Sequence, residues 1–265
     1  MGESGMSALS ALGALARLAE NAGLNASAPP RQTTVAGWLI RLSPGQAKRS
    51  RCINALAAGD MPLAAMLARC KQAFDAAGLP LIVRTTPYSQ PADLDERLAA
   101  IGWQAFDAAE VLVLRAIPSD NSPDTALQAL DATGYAQLIG DLRRSSAVEI
   151  AAHAERLEQS TVLWQGFALR GTGADSSEQL LACGQIAREG RIVGLYDIFT
   201  PPEQRGRGHA RRLCHELLRR ARAEGAEQAY LQVGADNQVA RRVYERLGFE
   251  FAYRYHYRSA GSEAE

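Results

Sequence analysis

Residues 194–225 constrain the architecture of this chain more than any other stretch. They begin Gly194-Leu-Tyr-Asp-Ile-Phe-Thr-Pro-Pro-Glu-Gln-Arg-Gly-Arg-Gly-His-Ala210 and continue into a helical pattern that Gly225 closes. Ala210, Leu213, Cys214, Leu217, Leu218 and Ala221 recur at helical spacing, which predicts a helix over residues 209–224 with one buried face. The residues before the loop read as a strand. Glycine lacks a Cβ, so a glycine-rich turn between strand and helix lets backbone N–H groups approach an anion closely. The first helical turn adds unpaired donors and partial positive charge. Arg205, Arg207, Arg211 and Arg212 surround that turn, and the combination suits a diphosphate. A solvated basic turn that only starts a helix has the same composition. Gly-x-x-x-x-Gly-Lys and Gly-x-Gly-x-x-Gly are both absent, which excludes a Walker loop and a dinucleotide fingerprint.

Charge narrows the setting. The 265 residues carry 29 basic and 29 acidic side chains, so the net charge is zero and a global attraction for nucleic acid or anionic membrane is excluded. The 47% hydrophobic and 22% charged content is that of a globular protein with a sizeable core. Cys52, Cys70, Cys183 and Cys214 show no Cys-x-x-Cys spacing, and His153, His209, His215 and His256 form no metal pattern. A reducing, cytoplasmic setting without a metal is the expectation. Residues 7–24 are interrupted by Arg17, Glu20 and Asn21, unlike a signal peptide, and no apolar run reaches membrane-spanning length. A monomer or homodimer is expected.

Along the chain, Leu9, Leu12, Leu15, Ala16 and Ala19 predict an opening helix. Strands are expected over 35–42 and near 50–56, around the turn Ser43-Pro44-Gly45, then a helix over 61–77 and a strand over 81–85. A helix over 93–101, ended by Gly102, precedes a strand over 103–116. Pro118-Ser-Asp-Asn-Ser-Pro123 reads as a linker. Helices over 133–145 and 148–159 and three antiparallel strands over 161–171, 179–188 and 191–200 lead into the glycine-rich loop. The pattern is α+β: a mixed, mostly antiparallel sheet with flanking helices, in two halves.

Arg205-Gly-Arg-Gly208-His-Ala210 matches the Arg/Gln-x-x-Gly-x-Gly/Ala signature of the GNAT superfamily of acetyltransferases. Leu231-Gln-Val-Gly-Ala-Asp-Asn237 and Ala240-Arg-Arg-Val-Tyr244-Glu-Arg-Leu-Gly248-Phe249 resemble that family's next strand and helix, and together the resemblance covers residues 180–258. It implies acetyl-CoA as donor. In the family, the strand before the loop splays from its neighbour, so the backbone of Ile198, Phe199 and Thr200 would pair with the pantetheine arm as an extra strand. The amides of Gly206, Arg207, Gly208, His209, Ala210 and Arg211, beside Arg205, would hold the pyrophosphate. A strand-end N–H, of Phe199 or Thr200, would polarise the thioester carbonyl. The resemblance makes Tyr244 the acid that protonates departing CoA thiolate. Asn237 is a helix N-cap by residue type, and the family's asparagine there also contacts the CoA arm. Some members carry a glutamate base where this chain has Gln232, which takes no proton at neutral pH. Asp197, Glu189 and a backbone-held water are the remaining candidates.

At an offset of 146 residues, Gly102-Trp103 falls on Gly248-Phe249, Leu98 on Tyr244 and Pro91 on Asn237. The first half therefore reads as a degenerate GNAT-like repeat without acid or anion loop. Gly37-Trp-Leu-Ile-Arg-Leu-Ser-Pro-Gly-Gln-Ala-Lys-Arg49 and Arg84-Thr-Thr-Pro-Tyr-Ser-Gln-Pro91 resemble the opening of bacterial GNAT-like proteins whose first half is non-catalytic. The expected organisation is a degenerate domain with leading helix at 1–117, a linker at 118–130, a catalytic domain at 131–258 and a tail at 259–265. The expected function is acetyl transfer from acetyl-CoA to a primary amine of a small molecule or peptide. A non-catalytic acyl-CoA sensor or scaffold, or use of another acyl-CoA, is the alternative.

Overall fold

The computed structural model describes residues 3–119, 127–172 and 178–261, with side chains from residue 10 onward. Its contacts divide into a larger unit, drawn from Met1–Ala26, Val111–Val233 and Asn237–Ala252, and a smaller one, drawn from Ser27–Glu110, Gly234–Asp236 and Tyr253–Glu265.

Helix α1 (Glu3–Ala26) opens the chain. Of the predicted apolar set it buries Leu15, Ala16 and Ala19, with Ala22 beside them; Leu12 is half-buried, and the side chain of Leu9 lies outside the described residues.

The smaller unit follows. Strands β1 (Gln32–Val35) and β2 (Trp38–Arg41) form an antiparallel hairpin, β3 (Ile53–Ala55) pairs with β2, and β4 (Val83–Thr85) runs parallel to β3. The crossover to β4 contains helix α2 (Leu63–Ala76), and helix α3 (Leu94–Ala100) leads into β5 (Gln104–Leu114). Trp38, Ile40, Ile53, Met66, Phe74, Val83, Leu94 and Leu98 form its core. The sequence predicts one strand over 35–42, whereas the structure folds that stretch at Ala36 and Gly37, both at positive φ (45° and 83°). Such a two-residue turn matches the twist of paired strands. Alanine gives no sequence signal for it. A Cβ on Gly37 would lie 2.6 Å from that of Ala57, so the close approach also requires glycine.

In the larger unit, β6 (Leu127–Leu130), β7 (Leu163–Thr172), β8 (Glu178–Glu189) and β9 (Ile192–Phe199) form an antiparallel succession, and β10 (Gln228–Gly234) joins β9 in parallel. Helices α4 (Ala132–Arg143) and α5 (Ala147–Glu158) start at sequence-encoded caps: Asp131 accepts from the Gly134 amide at 2.7 Å, and Ser146 with Glu149 forms a capping box. Helix α6 (His209–Ala223) lies between β9 and β10, and helix α7 (Gln238–Arg246) leads to β11 (Glu250–Ser259). Ala182, Val193, Leu195, Leu231 and Val233 pack with Leu213 and Leu217 of α6 on one sheet face. On the other face, Cys183 packs with Tyr135 and Ile139 of α4. That face also carries Tyr196 and Tyr230, beside Gly23 of α1.

The α+β reading with a mostly antiparallel sheet describes these elements. The expected partition differs in three places. Helix α1 packs against β8 and β9 of the larger unit instead of the first half. The expected linker at 118–130 ends in a strand, because residues 127–130 find partners at 166–169; residues 120–126 lie outside the described residues. Residue 259 of the expected tail still belongs to β11, whose end pairs antiparallel with β4 in the smaller unit, while residues 262–265 are outside the described residues.

The repeat offset has a backbone counterpart. Gly102 N donates to Ala99 O and Trp103 N to Leu98 O; Gly248 N donates to Glu245 O and Phe249 N to Tyr244 O. Gly102 and Gly248 sit at φ 87° and 90°, the left-handed geometry that ends a helix.

Candidate active site

The glycine loop adopts the geometry its sequence asks for. Gly206 and Gly208 have φ of 75° and 80°, and Gly208 is the residue before α6. No side chain caps this helix, and a Cβ on either glycine would meet no atom within 4 Å. The first intrahelical bond runs from Arg212 N to Gly208 O at 3.0 Å, so the preceding amides fall in the first turn, where a helix offers donors without helical partners. Arg205 Nε donates to Thr200 O, and Arg207 reaches Gln204 Oε1, both within the loop. His209 has its imidazole pushed down by desolvation and by Arg207 and Arg212, which favours the neutral ring.

The strand leading into this loop carries the second feature. The β9–β10 ladder runs from Ile192↔Gln228 to Leu195↔Leu231 and stops there, although β9 continues to Phe199 and β10 to Gly234. On its other edge β9 stays paired with β8, with a register shift: Gln185 faces Tyr196 and Cys183 faces Phe199. The extra residue makes a bulge, and Asp197 within it has φ 52°. Ile198 turns toward α6 and Phe199 toward the α4 side. Thr200 Oγ1 is buried without a hydrogen-bond partner among the described residues.

Tyr244 lies on α7 with 8% of its surface exposed, in edge contact with Phe249 at 6.2 Å. Burial, reinforced by Cys214, pushes its phenol well above the ordinary range, so it keeps its proton at neutral pH. Asn237 caps α7: its side chain accepts from Ala240 N at 3.1 Å.

The three base candidates fare differently. Glu189 ends β8 at the opposite end of the β8–β9 pairing from Phe199 and accepts from Asn25 of α1 at 2.9 Å. At about 3.3 Å per residue, that is roughly 20 Å from the loop. Gln232 lies beneath α1, its Nε2 3.0 Å from a Cβ position on Gly23. Asp197 sits at the bulge itself. Burial would raise its carboxyl, but Arg143, His153 and Arg156 outweigh that and hold it below the usual range, as an anion.

Segments of the chain are similar to known proteins. The acetyltransferase (GNAT) family matches residues 142–249. Over 239 residues the chain is 26% identical to the uncharacterized N-acetyltransferase YobR of Bacillus subtilis (strain 168), covering 86% of this chain and 91% of that protein. Over 98 residues it is 37% identical to the N-alpha-acetyltransferase RimI of Mycobacterium tuberculosis (strain ATCC 25618 / H37Rv), covering 35% of this chain and 60% of that one. A GCN5-related N-acetyltransferase from Kribbella flavida superposes with a TM-score of 0.65 at 16% identity, over 93% of this chain and 96% of its own.

Residues 142–249 thus carry a match to the GNAT acetyltransferase family.

The GNAT region thus begins within α4 and ends at Phe249, so it contains the loop, the end of β9 and Tyr244. Sequence reasoning missed Tyr135, Arg143 and Gln185, and considered His153 only as a metal ligand. Arg143 and His153 lie on separate amphipathic helices, and only the packing of α4 and α5 against the bulge brings them to Asp197.

Proposed function

We propose that this chain moves an acetyl group from acetyl-CoA to a primary amine by direct attack. The observation that carries this reading is the open end of the β9–β10 ladder leading into an uncapped helix with glycines at positive φ. The backbone of Ile198, Phe199 and Thr200 would take the pantetheine arm as an added strand. The amides of residues 206–211 and the Arg205 and Arg207 guanidiniums would take the phosphates. An N–H of Phe199 or Thr200 would polarise the thioester carbonyl, and the Asn237 side chain would combine capping with a contact to the arm.

The chemistry then needs one acid. A neutral amine attacks the carbonyl carbon, the N–C bond forms and the C–S bond breaks. The thiolate takes the Tyr244 proton, and the phenol regains the proton that the new amide nitrogen sheds. Burial keeps the phenol protonated at neutral pH, so a proton is present to give. The first proton of an ammonium leaves to water, so Gln232 in place of a glutamate is compatible with turnover. The reaction calls on no metal ion, and its setting is a cytoplasm rich in acetyl-CoA, without nucleic acid or membrane as partner. The chain acts as a monomer or homodimer, with the larger unit catalytic and the smaller unit degenerate. The α-amine named for the relative RimI is one such acceptor.

Titration calorimetry with acetyl-CoA, followed by a thiol-release assay against a panel of amines, tests this reading. Saturable binding and amine-dependent thiol release are expected; no binding at millimolar acetyl-CoA refutes it. Gln232 favours one second reading, a non-catalytic acyl-CoA sensor, which would bind acetyl-CoA and release no thiol with any amine. Another acyl-CoA in place of acetyl-CoA would show as tighter binding in the same titration.

A further inference from the structure

The face of the larger unit opposite α6 carries a polar cluster that the donor side does not use. Asp197 takes Arg143 Nη2 at 2.8 Å and Gln185 Nε2 at 3.0 Å. His153 of α5 brings its Nε2 to 3.9 Å from the Asp197 carboxylate, too far for a direct hydrogen bond. The Tyr135 ring stands edge-on to His153, with centroids 6.1 Å apart. Tyr135 Oη, His153 Nε2 and Gln185 Oε1 are all buried without a hydrogen-bond partner among the described residues. Tyr135 is 0% and Gln185 4% exposed. Interiors rarely leave three such atoms unpaired together, and a bound polar molecule can supply the missing partners. Burial lowers His153 to about 4 despite Asp197, so its imidazole is neutral at pH 7 and can accept a hydrogen bond.

We infer that the Asp197–Gln185–His153 cluster is the acceptor subsite, and that its acceptor is a monoamine bearing its own carboxylate, of the amino-acid class. The inference rests on the acetyltransferase reading above. Its first support is position: Asp197 directly precedes Ile198 and Phe199 in the strand end assigned to the acetyl donor, so an amine bound here reaches the thioester from the face opposite α6. Its second is valence. Gln185 Oε1, His153 Nε2 and the carboxylate are acceptors, the complement of an amine's N–H groups, and an amine nitrogen about 2.8 Å from both His153 Nε2 and Asp197 Oδ2 bridges their gap. Its third is charge. Arg143 and Arg156 exceed Asp197 locally, which disfavours a polycation. Arg143 is 37% exposed and spends one nitrogen on Asp197, leaving the rest of its fork for a carboxylate. Leu138, Leu142, Trp164 and Phe199, partly buried around Tyr135, suit an apolar side chain.

The test measures thiol release from acetyl-CoA with L-phenylalanine, phenylethylamine and spermidine, in the full chain and in Gln185→Leu, Asp197→Asn and Arg143→Gln. The expected order of kcat/KM is L-phenylalanine, phenylethylamine, spermidine, with steps of about tenfold. Gln185→Leu and Asp197→Asn should raise the L-phenylalanine KM about tenfold or more while acetyl-CoA affinity by calorimetry stays within about twofold, which also certifies the fold. Arg143→Gln should bring L-phenylalanine and phenylethylamine to about the same KM. Spermidine as best acceptor overturns the inference, as does an unchanged KM in Gln185→Leu, or acetyl-CoA binding with no release from any of the three amines. Loss of acetyl-CoA binding in the unaltered chain instead refutes the donor reading.

Discussion

Helices α3 and α7 end in the same way and do different work. In each, a glycine at positive φ follows the helix, and an aromatic residue donates back to the carbonyl of the fifth residue before it: Trp103 to Leu98, Phe249 to Tyr244. The side chains at that matched position diverge. Leu98 is an apolar plug with 0% exposure, whereas Tyr244 brings a hydroxyl to an otherwise apolar core. The loops diverge as well. Helix α6 begins after Gly208 at φ 80°, while α2 begins after Pro62, which has no N–H to give an anion. Two helix ends of the same backbone geometry therefore differ by a hydroxyl, and the two helix starts differ in the amides they offer.

The sharpest way to break this contrast is to exchange roles at the matched position. Tyr244→Phe should cut kcat by about 10²–10⁴ with acetyl-CoA affinity unchanged by calorimetry, since only the proton donor is lost. Equal turnover would place Tyr244 with Leu98, as packing. Leu98→Ala should instead cost about 2–5 kcal/mol in denaturant unfolding, because it opens a cavity in a filled core, with little change in kcat per folded molecule. Next, Gly208→Val should weaken acetyl-CoA binding by about 10–100-fold, from forcing a β-branched residue to positive φ and obstructing the amides. Pro62→Ala is the control in the smaller unit and should leave that affinity alone.

The smallest effect concerns a surface link of the smaller unit. Asp95 accepts from Arg258 at 2.6 Å and lies 2.8 Å from His256 Nε2. Chiefly through Arg258, its carboxyl falls to about 2, below the unfolded value near 4. A lowered carboxyl stabilises the fold above the unfolded pKa and loses that contribution as pH falls toward 2. Asp95→Asn should therefore lower stability slightly at pH 7, by under about 1 kcal/mol for so exposed a group, and the gap should close near pH 2. A gap that persists at pH 2 would mean a packing role.

The proposed donor side was legible in the sequence because its signals are local. Gly206, Gly208 and Asn237 act through their own backbone or the next turn, and α6 follows from the spacing of its apolar residues. The proposed acceptor side was not, because it depends on packing. Strand alternation would turn Asp197 away, yet the β8–β9 bulge turns it toward Arg143 and Gln185. The docking of α1 over Gln232 and the pairing of residues 127–130 were hidden for the same reason: each rests on partners tens to hundreds of residues distant.

The end of β11 has a consequence for how the molecule comes into being. Residues 256–258 pair with residues 83–85, so the smaller unit takes one of its strands from a segment that follows it by 171 residues, counted from Thr85 to His256. The half that the ribosome makes first is the half that is finished last. Until residues 256–258 are made, β4 keeps an unclosed edge, and the early strands must wait for a partner that has not yet been synthesised.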